Sequence, residues 1–267
     1  MAEAIGFLGA GLLGSKVVEN LLQSGHGVRL HNRTRANAEP LLAKGAAWAP
    51  TAADAAEPGG VVMSLLWDDA SVEATVASEG FLTRLGPGGL HISMSTITPE
   101  ASQRLAARHA AAGCVYVEAP VFGRPEQAAA RQLTAALAGP DAGRARALPL
   151  LEAGGAARVF EFGEAVGAAA MVKLVGNFLL ISAASSLTEA LGAARAKGFD
   201  AQAILDMLTA TLFPSPIYQA YGQVIAAGGA GMGGSPIPAK DLGLFEQTAA
   251  AGGVEAPIAH MLRGLRG

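Results

Sequence analysis

Cysteine is nearly absent from this chain of 267 residues, where Cys114 stands alone. An internal disulfide is therefore excluded, which fits a reducing compartment, and a cytoplasmic location is the expectation. Charge is sparse as well. Charged residues make up 15% and hydrophobic ones 51%, a balance that argues against disorder and allows a substantial core. A formal net charge of −3 leaves no basic footprint, so nucleic acid is not an expected partner. No uninterrupted apolar run reaches about 18 residues, and no basic segment precedes the first apolar stretch, so neither a membrane helix nor a signal peptide is expected. The histidines (His26, His31, His91, His109, His260) show no H-x-x-x-H pairing and no nearby acid cluster, and no metal site is expected. A G-x-S-x-G elbow is missing, and so is any internal repeat.

What the chain has in quantity is glycine, 35 of them, and three carry the argument. Ala4 to Leu8 reads as an apolar strand, Gly9-Ala10-Gly11-Leu12-Leu13-Gly14 as a turn, and the residues to Ser24 as a helix. A second apolar run, Val28-Arg29-Leu30, ends at His31-Asn32-Arg33-Thr34. Strand, G-x-G-x-x-G, helix and second strand within about 30 residues is the context of a dinucleotide-binding unit. Gly9 allows the tight turn, Gly11 the approach of a pyrophosphate, and Gly14 the close packing of helix on strand. The helix N-terminus then offers unpaired N–H groups to the phosphates. Without that context the glycines would be an ordinary turn.

An NAD site normally places a carboxylate about 20 residues after the glycines, on the ribose 2′-OH. Asn32 stands there instead, followed by Arg33 and Thr34. Arg33 supplies a planar fork suited to a 2′-phosphate, Asn32 and Thr34 supply neutral hydrogen bonds, and Arg35 stands close enough to add charge. The expected cofactor is NADP(H).

Downstream, strands at 61–66, 90–94, 114–119, 133–137 and 158–162 alternate with helices at 35–45, 51–57, 71–78, 99–112 and 141–153. Such alternation implies a mostly parallel sheet covered on both faces. Ser71 is a plausible cap for its helix, and Thr98 caps the next ahead of Pro99. From Glu164 to about Lys197 nothing stops a helix, which would run about 45 Å. The remainder reads as helices at 200–212, 216–227, 240–252 and 254–264, with a Gly/Pro-rich flexible loop at 228–238. The expected domains are 1–163 and 164–267.

Lys173 and Asn177 lie four apart on one face of that long, apolar helix. An ammonium there either snorkels to water or is desolvated for a purpose. A buried lysine of lowered pKa would serve as general acid or base, beside an asparagine that holds a substrate oxygen. Ser95-Thr96-Ile97-Thr98-Pro99 and Glu118-Ala119-Pro120-Val121-Phe122-Gly123-Arg124-Pro125 each follow a strand end, where parallel sheets bind ligands. Capping and a proline-stiffened loop are the plainer readings of the two. Asp68-Asp69 reads as a solvated pair. Asp241 suits a helix start, which leaves Lys240 without a plain explanation.

In this order the motifs resemble the β-hydroxyacid dehydrogenase family, which includes 3-hydroxyisobutyrate dehydrogenases and semialdehyde/glyoxylate reductases. The resemblance rests on Gly9-x-Gly11-x-x-Gly14 with Asn32-Arg33-Thr34, Met94-Ser95-Thr96-x-x-Pro99, Glu118-Ala119-Pro120-Val121-x-Gly123, Gly167 with Lys173 and Asn177, and Lys240-Asp241-Leu242. It implies a Rossmann-type doubly wound α/β domain, then an all-helical domain entered by a long interdomain helix, usually in a dimer or tetramer. It also implies catalysis by Lys173, substrate orientation by Asn177, and closure of Lys240 over the cofactor. Ser95 and Thr96 would lie beside the nicotinamide and substrate, and Leu12, Leu13, Leu65 and Leu66 would join the cofactor site.

Departures from the family bear on the substrate more than on the reaction. Phe122-Gly123-Arg124 stands where Ser-Gly-Gly commonly binds a carboxylate, Gly176 replaces the first of an Asn-Asn pair, and Ala169 replaces a glycine. Phe122 removes a hydroxyl and adds apolar bulk, while Arg124 offers an anion a partner. The C-terminal helices look short for the family. The expectation is an NADP(H)-dependent oxidoreductase acting on a small hydroxy acid, aldehyde or keto acid. Its rivals are an imine reductase on the same fold, which usually lacks the lysine, and a non-catalytic NADP(H) sensor.

Overall fold

The computed structural model describes residues 4–229, 231–232 and 235–265. Three of the residues in the expected flexible loop at 228–238 lie outside the described set. The chain divides into two units, residues 1–173 and 174–267.

The first unit is built on β1 (Ile5–Leu8), α1 (Leu12–Gln23), β2 (Val28–His31), α2 (Glu39–Leu42), β3 (Ala47–Trp48), α3 (Ala52–Ala55) and β4 (Val61–Ser64). It continues through α4 (Asp69–Val76), α5 (Phe81–Leu85), β5 (Leu90–Ser93), α6 (Pro99–Ala111) and β6 (Val115–Glu118). The six strands form one parallel sheet in the order β3-β2-β1-β4-β5-β6, a Rossmann-type arrangement. Period-two alternation splits its side chains between two cores. Ile5, Phe7, Val61 and Met63 join Val17, Val18 and Leu21 on one face, and Leu8 and Val62 join Val72, Phe81 and Leu105 on the other. β7 (Val121–Phe122), α7 (Pro125–Ala129), β8 (Leu133–Leu137), α8 (Asp141–Ala153) and β9 (Ala156–Glu161) follow. Their strands form a second sheet, β7-β8-β9, with β7 antiparallel and β9 parallel to β8.

Several elements differ from the sequence reading. The expected helix at 35–45 is a 3₁₀ turn at Arg35–Asn37 followed by the single turn of α2, because Pro40 lacks the amide a continuous helix needs there. Asp68, not Ser71, caps α4: its carboxylate accepts from the Ser71 N–H at 2.9 Å. Nor is Asp69 merely solvated, since it accepts from the Thr98 N–H (3.0 Å) and hydroxyl (2.6 Å). β3, β7, α5 and α7 are too short to leave a periodic signal.

α9 (Ala168–Ala196) is a 29-residue helix that begins four residues later than expected, after Gly167. Glu118 holds its start. The buried carboxylate accepts from the Gly167 and Ala169 N–H groups at 2.9 and 2.8 Å and from the Ser102 hydroxyl at 2.5 Å. An anion at a helix N-terminus also meets the positive end of the dipole. Burial raises the Glu118 pKa against the opposing effect of these hydrogen bonds. Ala168, Ala169 and Val172 pack with Ala136 and Ala138 of the first unit, so the division falls inside α9 rather than ahead of it. By length and composition α9 is apolar enough to cross a membrane. Its inward positions, however, sit in protein cores, Ile181 with Leu242 and Leu262, and Leu187 with Leu205 and Ile225.

The second unit is helical, as expected: the rest of α9 with α10 (Ala201–Ala210), α11 (Pro216–Ala226), α12 (Ile237–Ala251) and α13 (Pro257–Gly264). α12 starts three residues ahead of the expected 240, so Asp241 lies within the helix and not at its start.

A chain of buried polar groups crosses the second core of the sheet. His109 Nδ1 lies 2.7 Å from the Leu105 carbonyl, which can only accept, so Nδ1 carries the hydrogen and Nε2 accepts. His91 Nδ1, 3.0 Å from that Nε2, therefore donates, and His91 Nε2 accepts from the Ser64 hydroxyl at 2.9 Å. The link between the rings requires a neutral His109, whose Nε2 accepts from His91. Burial pushes His91 well below the ordinary histidine range, and burial lowers His109 to about 4. In the unfolded chain both return to about 6.5. Unfolding thus takes up protons below that value, and stability, full above pH 6.5, is lost as pH falls toward 4. The slope is at most about 2.7 kcal/mol per pH unit, two protons' worth, and Glu118 with its raised pKa acts in the opposite sense. Urea unfolding at pH 7, 6 and 5 is expected to show this decline, and a profile that stays flat in Glu118→Gln as well would mean that the imidazoles protonate freely in the fold.

Candidate functional site

Strand order reverses between β1 and β4, and ligands of open parallel sheets bind beyond the carboxyl ends of strands at such a point. The chain leaves β1 at Gly9 and β4 at Leu65. Gly9 has φ +108°, and a Cβ there would sit 2.3 Å from the Leu65 carbonyl oxygen, so only glycine fits. A Cβ on Gly14 would lie 2.2 Å from the Gly9 carbonyl oxygen, so the first turn of α1 presses on the loop it follows. Gly11 differs. Its φ of −76° is ordinary, and a Cβ would meet no atom within 4 Å. Gly11 is also the N-cap of α1 and supplies no side-chain acceptor to the first amides. Leu12 beside it is 83% exposed, whereas Leu13 packs against the core.

The turn is braced from β2. Asn32 Oδ1 accepts from the Ala10 N–H at 2.8 Å, and its amide nitrogen donates to the Thr34 carbonyl at 2.7 Å. Asn32 thus holds the glycine turn to the end of β2, a positioning task the sequence did not disclose. Arg33 and Thr34 are exposed at this rim. Arg35 is engaged by Glu39 at 3.0 Å and lies 5.2 Å over the Trp48 ring.

The loop after β5 is similarly fixed. Ser95, 3% exposed, accepts on its hydroxyl from the Leu66 N–H at 2.8 Å, tying the ends of β4 and β5 together. Thr96 beside it is half-buried, and Asp69 holds the far end of the loop through Thr98. Asp69 is a residue the sequence reading missed, since its partner Thr98 lies 29 positions away.

Lys173 is 8% exposed, and its Nζ lies 4.2 Å from the centre of the Phe122 ring on β7. The amine is not snorkelling to water. The structure thus brings together two expected site residues 51 positions apart in the chain, an ammonium against a ring face. Gly123 and Arg124 are exposed, and Arg124 Nε lies 3.9 Å from Glu126.

In the second unit Asn177 donates to Asp241 Oδ2 at 2.6 Å, and Lys240 pairs with Asp241 Oδ1 at 2.7 Å. Asp241, 3% exposed, joins two expected site residues, a role no helix-start reading conveys. Among the described residues, no group of three or more His, Cys, Asp or Glu side chains is placed to hold a metal ion.

Comparison with known proteins agrees with this geometry. The NAD-binding domain of 6-phosphogluconate dehydrogenase matches residues 4–166. An uncharacterised oxidoreductase of Bacillus subtilis is 38% identical over 223 residues, 83% of this chain and 77% of its own. An NAD-dependent L-serine dehydrogenase of Pseudomonas aeruginosa is 29% identical over 96% of this chain and 88% of its own. Among solved structures, a 3-hydroxyisobutyrate dehydrogenase of Mycobacterium tuberculosis with L-serine superposes with a TM-score of 0.86 at 28% identity, over 100% of this chain and 93% of that one.

Proposed function

The chain belongs to the 3-hydroxyisobutyrate/6-phosphogluconate dehydrogenase family of oxidoreductases, and from that membership we propose an NADP(H)-dependent enzyme that interconverts a small hydroxy compound and its aldehyde or ketone, with Lys173 as general acid and base. The observation that carries the reading is the buried Lys173 ammonium against Phe122 in a chain whose glycine turn suits a dinucleotide.

The residues present fit such a cofactor. Space beside Gly11 and the uncapped amides of α1 suit a pyrophosphate, Arg33 and Thr34 a 2′-phosphate, and Leu65, Leu66 and Thr96 the nicotinamide half. When bound, the dinucleotide supplies or accepts the hydride at the carbonyl carbon. In the reducing direction Lys173 gives its proton from Nζ to the carbonyl oxygen, which becomes the hydroxyl. In the oxidising direction neutral Lys173 takes that proton. Asn177 orients the substrate oxygen, and Lys240 closes on the cofactor. Asp241 keeps both side chains in place. A homodimer or homotetramer is part of the proposal.

Preference for NADP(H) over NAD(H) rests on Asn32 standing where a carboxylate would repel phosphate, with the Arg33 guanidinium next to it. Arg33→Ala is expected to weaken NADPH by about tenfold or more while leaving NADH nearly unchanged, read by nucleotide fluorescence titration. Equal affinities in the unaltered protein would overturn the preference.

A further inference from the structure

We propose that Phe122 sets the substrate class: the group that flanks the reacting carbonyl on the Phe122 side is alkyl or aryl, not carboxylate. This rests on Lys173 being the group that meets the carbonyl oxygen. The ring centre lies 4.2 Å from Lys173 Nζ, so whatever lies beside that oxygen also lies beside the ring. A carboxylate leaving water needs donors to replace its hydration. Phe122 has none, and the face of an aromatic ring carries the negative part of its quadrupole, which repels an anion. Alkyl or aryl groups, in contrast, gain from the ring by burial and dispersion. Nearby Arg124 is exposed with Glu126 beside it, an arrangement that leaves its charge solvated and shared.

The test pairs substrates of equal shape. Glyoxylate is compared with isobutyraldehyde, and succinic semialdehyde with 4-methylpentanal, so that an isopropyl group replaces each carboxylate. With NADPH the full-length protein is expected to favour the alkyl member of each pair by about tenfold or more in kcat/KM. Phe122→Ser, which exchanges the ring for a donor, is expected to shift the ratio toward the carboxylate by about tenfold or more. Phe122→Leu keeps the apolar flank and is expected to keep the alkyl preference. Preference for the carboxylates in the unaltered protein would overturn the proposal, as would equal effects of Phe122→Ser on both members.

If no aldehyde is turned over, proton transfer by Lys173 falls, and ligand binding beside the amine still decides Phe122. Isobutanol should then raise the melting temperature of the NADPH-loaded protein more than glycolate does. A larger shift with glycolate, or none with either, overturns the assignment.

Discussion

Lys173→Met is expected to lower kcat by at least about 100-fold with a small carbonyl substrate, while the affinity for NADPH stays within about twofold. Methionine keeps most of the stem that packs beside Phe122 and removes only the ionisable head, so loss of packing is separated from loss of the proton. Lys173→Ala is expected to lose turnover to a similar extent and some stability besides. The glycines and the α1 N-terminus proposed to hold the cofactor lie on another loop of the sheet, so nucleotide affinity is expected to be spared. Steady-state kinetics with parallel fluorescence titration check the split. Turnover near that of the unaltered protein in the methionine variant would remove the amine from the reaction.

Gly11→Val and Gly14→Ala are expected to fail in opposite ways. Gly11 has ordinary φ and no atom within 4 Å of a Cβ, so the variant should melt within about 2 °C of the parent, as for an exposed substitution. Its side chain would fill the space a pyrophosphate needs, and nucleotide affinity is expected to fall by about 100-fold, or about 2.7 kcal/mol. In Gly14→Ala the new methyl would stand 2.2 Å from the Gly9 carbonyl oxygen, and backbone has to move. The expected cost is about 3 kcal/mol of stability, seen in urea unfolding before any ligand is added. A Gly11 variant that binds NADPH normally would mean that the dinucleotide lies elsewhere.

The contrast between these two glycines shows what sequence and tertiary structure each contributed. G-x-G-x-x-G between two strands and a helix was legible because each glycine answers a local demand of the backbone within a single βαβ unit. A mostly parallel sheet and a helical second unit were legible for a similar reason, since apolar periods of two and of 3.6 are properties of short stretches, but β3 and the separation of β8 and β9 into a second sheet were not. Elements of two to five residues, such as β7 and α5, span too few residues to show a period.

Residues whose partners lie far along the chain were not legible. Asp69 reads as a solvated acid until β5 brings Thr98 to it, and Glu118 as a strand end until the start of α9 meets it. Asp241 reads as a dipole partner until Asn177 donates to it. Asn32 was recognised as part of the rim, but not as the brace of the glycine turn. For Lys173 the composition of its helix left snorkelling and burial in balance, because both satisfy an ammonium on an apolar segment. Packing of β7 against the first turns of α9 decided the matter by laying Phe122 over the amine, a contact between residues that share no local pattern. Sequence determined most of the elements, since those follow from neighbours along the chain. Tertiary structure decided which groups are buried and what holds them, since desolvation and hydrogen bonding depend on neighbours in space.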